Sequence, residues 1–325
     1  MRKNIALVTG GYSGELEISL KSAAEVFQNL DKDKYNVFTI HIGSQEWTFQ
    51  GDEGNRAMVD KNDFTVFYEG KHITFDCAFI ALHGTPGEDG RLQGYFDLIG
   101  LPYTSSGMTT SAITFNKFFS NKIVRSLGIK TADSIFMTGD NLLAKDETIQ
   151  KIGLPCFVKP NNGGSSVGIS RVDHPEEMLD AMRTALKEDN EIVIESCIDG
   201  FELTCGMLKY QGEFIIFPLT EIISEKSFFD YEAKYTESLR KEITPARVSI
   251  DLKNRCKNTS AFLYDEMNCK GLVRFDYIVN NDELYFLEVN TIPGMTAESI
   301  VPKQAQEMGL SLKEVYSMVI EEVIS

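Results

Sequence analysis

Two short runs near the C-terminal end, Leu272 to Val279 and Leu284 to Asn290, flank Asn280-Asn281-Asp282, and no other stretch constrains the chain as tightly. Strand-forming residues on either side of a turn-rich tripeptide predict a β-hairpin. Alternation then puts Arg274 and Asp276 on one face of the first strand, and Glu288 and Asn290 on one face of the second. Val273, Phe275, Leu287 and Val289 fall on the other face. With pairing centred near Asp282, Asp276 opposes Glu288 and Arg274 opposes Asn290. Two carboxylates, an amide and a guanidinium on one face would repel or go unsatisfied in a core. They suit a hard cation beside a phosphate. A solvated face with surface salt bridges fits the same spacing, so spacing alone leaves both readings open.

At 325 residues the chain exceeds what one core comfortably serves, which predicts two or three domains. No run is long and apolar enough to cross a bilayer. The opening apolar run, Ile5 to Val8, is stopped by Gly10, Gly11 and Glu15, too early for a signal peptide, so a soluble cytoplasmic protein is expected. A net charge of −16 without clustered Lys or Arg argues against nucleic-acid binding. The six cysteines form no CxxC pair and no zinc spacing, and reduced, mostly buried thiols are expected.

Along the chain, Ile5 to Val8, Gly10-Gly11 and a helical stretch from Glu15 to Leu30 give strand, glycine turn and helix. A second strand, Cys77 to Leu82, runs into the polar loop His83 to Gly90. Loops after parallel strands are where α/β folds bind ligands, so both are candidate site walls. From Ser105 or Ser106 a helix is predicted with Ala112, Phe115, Phe119 and Ile123 on one face, ending at Gly128, and the first domain boundary falls here. A strand at Phe157-Val158-Lys159, the loop Asn161 to Gly164, a strand from Val167 to Val172, a helix opened by Pro175 and a strand from Glu191 to Glu195 make a compact α+β unit. A hairpin turning near Gly212 follows. The aperiodic stretch Ser224 to Pro245 is predicted to be a mobile lid, and a helix from about Leu252 to Met267 leads into the final hairpin.

The loop from Pro160 to Gly168 holds glycines and serines able to offer N–H groups and hydroxyls to phosphate, although it lacks the P-loop order. Lys159 precedes it inside a strand, an expensive place for an ammonium that meets no anion. A flexible surface hairpin is the plain alternative.

Lys159 with this loop, Glu195-Ser196-Cys197-Ile198 after a strand, and the Arg274-x-Asp276 and Glu288-x-Asn290 pair resemble the ATP-grasp superfamily. The segments Gly10 to Ser19, Leu82-His83-Gly84 through Glu88-Asp89-Gly90, Tyr231 to Tyr235, and Glu288 to Thr296 resemble the D-alanine:D-alanine ligase family, in order and across essentially the whole chain. The resemblance implies an α/β (α+β) fold of three-domain ATP-grasp architecture: a Rossmann-like domain at 1–105, a central subdomain at 106–196 and a C-terminal subdomain at 197–325. It implies ligation of two D-alanines through a D-alanyl phosphate, for peptidoglycan precursors, with ATP as co-substrate, two magnesium ions (manganese as substitute) and a homodimeric assembly.

By the same resemblance ATP would meet Lys117, Lys159, Ser166, Glu195, Ser196, Cys197, Ile198, Glu202 and the lid residue Lys234, and metal would meet Asp276, Glu288 and Asn290. Glu15 would bind the first D-alanine, oriented by Ser165 and Tyr235, with His83 lining the same subsite. Ser299 would hold the second substrate's carboxylate, and Arg274 with the Gly294 N–H would stabilise the oxyanion. Tyr235 favours a dipeptide product over a depsipeptide. Cys197 stands where the family often carries a bulky aromatic, and Asn161-Asn162-Gly163 replaces a more charged loop. A ligase using D-serine or D-lactate as acceptor, and a non-catalytic nucleotide-binding protein, are the alternatives.

Overall fold

The structure, a computed structural model, describes residues 2–51, 54–224 and 240–324. Lys234 and Tyr235, with most of the stretch expected to form a lid, lie outside the described residues.

Seven strands build the first sheet: β1 (Lys3–Gly10), β2 (Tyr35–Ile42), β3 (Trp47–Gln50), β4 (Arg56–Asp60), β5 (Thr65–Tyr68), β6 (Lys71–Ile73) and β7 (Cys77–Ile80), in the order β6-β5-β4-β3-β2-β1-β7. Only β2, β1 and β7 are parallel. The run Ile5 to Val8 is fully buried, the pattern of a strand covered on both faces. Because β1 lies between two parallel neighbours, its carboxyl end opens a crevice into which Gly10-Gly11 and the start of α1 (Leu16–Asn29) lead. Beyond β7, α2 (Arg91–Ile99) is followed by α3 (Met108–Phe115) and α4 (Lys117–Ser126).

These last two correct the single helix expected from Ser105 or Ser106. Asn116 leaves helical geometry at φ −89° and ψ 105° and caps α4, its side chain accepting from Phe119 N at 3.0 Å. The break resets the helical phase, so Ala112 and Phe119 face outward while Thr110, Ser111, Thr114, Ser120 and Asn121 are buried. The hydroxyls of Thr110, Ser111 and Thr114 bond to backbone, as Thr110 Oγ1 does to Met267 O at 2.9 Å. Ser106 caps nothing and instead bonds Lys270 N at 3.0 Å.

The second sheet runs β10-β9-β11-β8, with β8 (Ser134–Thr138), β9 (Cys156–Pro160), β10 (Ser170–Val172) and β11 (Glu191–Ser196) all antiparallel. Its core joins Met137, Val158, Ile192 and Ile194 to Met178 and Met182 of α6 (Met178–Ala185), with α5 (Lys145–Ile152) packed beside them. The glycine-serine loop links β9 to β10.

The third sheet holds β12 (Phe201–Tyr210), β13 (Glu213–Ile216), β14 (Thr220–Ser224), β15 (Arg240–Ile243), β16 (Val273–Asn280) and β17 (Glu283–Asn290), ordered β15-β14-β12-β16-β17 with β13 also on β12. Both ends of the expected lid stretch are therefore strand, β14 pairing with β15. Backbone hydrogen bonding to a neighbour, which hydrophobic periodicity does not register, makes them so. Leu263 and Tyr264 of α7 (Ile250–Glu266) bury against Phe275 and Tyr277 of β16.

In the β16–β17 hairpin, Asn281 and Asp282 form a two-residue turn with both φ values positive, 48° and 64°. That turn sets Tyr277 opposite Phe286, and strict alternation from there would leave Glu288 on the buried face. A β-bulge intervenes, so Asp276 opposes Glu288 and Arg274 opposes Asn290, the expected pairing. Leu287, expected with the core residues, is instead only half-buried and lines the cavities, because the extra residue of a bulge leaves the alternation.

Two C-terminal helices close the fold, α8 (Ile300–Glu307) and α9 (Leu312–Ile324). Buried Leu312, Val315, Tyr316, Val319 and Ile320 of α9 join the first sheet's core, with Phe79 and Tyr316 rings edge-to-face at 5.5 Å.

Candidate active site

On the polar face of the hairpin, Arg274 grips Asp276 through Nε–Oδ1 at 2.9 Å and Nη2–Oδ2 at 2.6 Å. Both side chains are largely buried. Burial works against the guanidinium charge, but Asp276, with Glu288 and Glu202 behind it, holds Arg274 above its ordinary pKa. Thr204 of β12 donates Oγ1 to Asp276 Oδ1 at 2.9 Å. Asn290 Nδ2 lies 3.2 Å from Asp276 Oδ2 and 3.4 Å from Glu288 Oε1. Turning that amide over exchanges its nitrogen and oxygen, so the set can offer three hard oxygen donors with two negative charges. That chemistry fits magnesium. Among the described residues no group of three or more His, Cys, Asp and Glu side chains comes together to hold a metal, so the candidate set is two carboxylates and an amide.

Across from this face, Lys159 donates to Glu195 Oε2 at 2.6 Å, and Asn121 Nδ2 to Glu195 Oε1 at 2.7 Å. Burial opposes the ammonium, but Glu195, joined by Glu288 and Glu202, holds Lys159 above its ordinary pKa. Lys117, at the start of α4, donates to Gly163 O at 2.5 Å, while burial lowers its pKa. A cavity of about 420 Å³ is lined by Lys117, Lys159, Ser166, Asp276, Glu288 and the segment Glu195 to Ile198, with Glu202 at its wall. Cys197 is half-buried there, its thiol pKa raised by burial.

A second cavity, about 1060 Å³, opens at the carboxyl ends of β1 and β7 and is lined by Glu15, His83, Ser165, Gly294 and Ser299. Ser165 Oγ donates to Glu15 Oε1 at 2.5 Å. Two glycines make room for this carboxylate: a Cβ on Gly84 would meet Glu15 Oε2 at 2.7 Å, and one on Gly164 would meet Oε1 at 2.8 Å. Ser165 and Ser166 both hold positive φ, 52° and 57°, a strained conformation that marks functional loops. His83 is buried against Ser22, with Nε2 2.8 Å from Ser22 Oγ, and burial keeps its pKa low. Ser299 starts α8, its Oγ 2.8 Å from Thr296 Oγ1.

Lys117, Arg274, Leu287, Glu288 and Ile300 line both cavities, so the two meet at one wall. Every site residue singled out in the sequence and described in the structure borders one cavity or the other. Sequence reasoning missed Thr204, Asn121 and Ser22, and marked Glu88 only as part of a loop motif, without a role. Thr204 carries a signal, being a polar residue inside the apolar run Leu203 to Leu208. Glu88 sits in the polar loop after β7 and accepts from Gly84 N at 2.7 Å; burial, then the nearby Glu15, pushes its pKa up to about 8.

Two lysines facing a carboxylate hairpin across a cleft between two antiparallel sheets, joined to a mixed N-terminal sheet with a parallel centre, define an ATP-grasp ligase architecture. The family described as D-ala D-ala ligase N-terminus matches residues 4–106, and D-ala D-ala ligase C-terminus matches residues 123–321. A D-alanine–D-alanine ligase of Flavobacterium johnsoniae is 48% identical over 319 residues, 98% of each chain. Among solved structures, the VanG D-Ala:D-Ser ligase from Enterococcus faecalis has a TM-score of 0.88 at 32% identity, covering 99% of this chain and 100% of that one. The D-alanine–D-alanine ligase from Bacillus anthracis complexed with ATP has a TM-score of 0.78 at 31% identity, covering 99% and 97%. The chain belongs to the D-alanine–D-alanine ligase family.

Proposed function

We propose that this chain joins two D-alanines to D-alanyl-D-alanine at the expense of ATP, in the synthesis of peptidoglycan precursors. The observation that carries the reading is the shared wall: the lysine-lined cavity and the Glu15 cavity meet at Arg274 and Glu288, where a phosphoryl group and a carboxylate would have to meet. Family membership supports the substrates.

In this reading ATP occupies the smaller cavity, with Lys117 and Lys159 against its phosphates, Glu202 on its ribose and Ser166 and Glu195 to Ile198 along the nucleotide. Asp276, Glu288 and Asn290 would hold magnesium, which supplies charge neutralisation at the phosphates when bound. Glu15 holds the ammonium of the first D-alanine, and Ser165 fixes the direction of that carboxylate through its 2.5 Å hydrogen bond. His83, its pKa held low by burial, lines the same subsite. The substrate carboxylate attacks the γ-phosphorus, giving a D-alanyl phosphate and ADP. Ser299 orients the second D-alanine by its carboxylate, and its free amine attacks the acyl carbon. Arg274 and the Gly294 N–H stabilise the tetrahedral oxyanion until phosphate leaves with the bonding pair and the amine sheds its proton. The roles implied for Lys234 and Tyr235 fall on residues outside those described.

The test is ADP and phosphate release with D-alanine, D-serine and D-lactate as competing acceptors, with product identification. D-alanyl-D-alanine should predominate, and Asp276→Ala should lower kcat by about 10²–10³. A different predominant product would replace the acceptor, and no phosphate release would favour a binding protein. The reading also carries a cytoplasmic location and a homodimer; a monomer by light scattering at micromolar concentration would remove the latter.

A further inference from the structure

On α8, beyond Ser299, Gln304 is fully buried and borders neither cavity. Its Oε1 accepts from Gly206 N at 3.0 Å, and its Nε2 donates to Thr204 O and Thr220 Oγ1, each at 3.0 Å. These groups lie where the ladder on one edge of β12 is interrupted: pairing with β14 ends at Thr204 opposite Thr220, pairing with β13 begins at Met207 opposite Ile216, and between them Phe217 N donates to Gly206 O at 3.0 Å while Gly206 N is left for Gln304. The amide spans that gap, and a Cβ at Gly206 would collide with its Oε1. An aliphatic side chain would pack there but would strand buried backbone groups.

Both ends of this clamp lead to the site. Thr204 carries the hydroxyl that donates to Asp276 Oδ1 at 2.9 Å. Helix α8 begins at Ser299, whose Oγ stands 2.7 Å from where a Cβ on Gly294 would lie. The Glu15–Ser165 pair sits on α1's entry and the glycine-serine loop, outside this network.

We propose that Gln304 is a positioning residue: by locking α8 to β12 it fixes the acceptor end of the large cavity, at Ser299 and Gly294, relative to Asp276. The inference rests on the functional reading above for the roles of Ser299 and Asp276.

The test is Gln304→Met in the full chain, with initial-rate constants fitted separately for the first and second D-alanine, and magnesium–ADP affinity measured by calorimetry. The KM of the second D-alanine and the Kd of magnesium–ADP should each rise about fivefold, while the KM of the first D-alanine stays within about twofold. A fall in Tm and kcat with all three constants unchanged is what a packing role alone produces, and it overturns the inference. If Gln304→Met does not fold, Thr220→Val removes one of the three bonds, together with the 2.7 Å contact between the Thr220 and Thr244 hydroxyls, and should show the same pattern at about twofold; unchanged constants there also overturn it. Absence of turnover in the unaltered chain would overturn the functional reading instead. Magnesium–ADP affinity in the two variants then decides the Thr204–Asp276 limb, and unchanged affinity sinks it.

Discussion

Lys159 and Glu195 form a buried ion pair, and such pairs are fragile to loss of one member. Lys159→Met leaves Glu195 charged and unpaired and should destabilise the chain by about 3–5 kcal/mol. Adding Glu195→Gln should recover most of that in a thermal melt without restoring ATP turnover; a double variant as unstable as the single one would contradict this account. Glu88 gives the pH dependence. Its folded pKa, about 8, lies above the ordinary 4.5, so the stability tied to its protonated form is complete below 4.5 and is lost as pH rises towards 8. Glu88→Gln, which cannot ionise, should therefore gain in Tm over the unaltered chain as pH goes from 4.5 to 8, and a constant difference would refute the assignment. At this scale the sequence was informative wherever a charge stood in an apolar setting, as at Lys159 and Asp276. It was silent on which groups pair, since the bonds of Asn121 to Glu195 and of Thr204 to Asp276 span 74 and 72 residues.

At the scale of elements, the hairpin was legible because a turn-rich tripeptide lies between two strand-forming runs, and the α3–α4 break was not, because one cap at Asn116 outweighs a helical period that continues across it. The bulge explains how a two-residue turn and the site register coexist. Deleting Leu287 makes the hairpin regular and keeps Glu288 opposite Asp276, so the chain should fold with a cavity wall altered. Deleting Val289 turns Asn290 towards the core and removes a buried valine, which should cost about 3–5 kcal/mol. Circular-dichroism melts of the two deletions compare them directly, and equal loss of stability would show that register does not govern this hairpin.

Across the whole molecule, the first sheet's core is completed by residues from the far end of the chain, among them Ile292, Val301 and the buried face of α9. Such an assignment lies beyond periodicity, which can mark α9's buried stripe but not the sheet it covers. Removing residues 312–325 strips Leu312, Val315, Tyr316, Val319 and Ile320 from that core. At about 1.5–3 kcal/mol for each side chain, the loss rivals a typical folding free energy, so the truncated chain should unfold cooperatively at room temperature or fail to fold. Retention of a native melt would show that the helix is dispensable.

The same arrangement bears on how the protein is made. The strands of the first sheet leave the ribosome early, yet the helix that seals Phe79 beneath Tyr316 follows them by roughly 240 residues. At about 5–20 residues per second, Phe79 waits on the order of 10–50 s for that cover. For that interval an apolar sheet face stands open in the nascent chain, a natural target for holdases. Slowing translation of the C-terminal third should therefore raise aggregation more than slowing the first third.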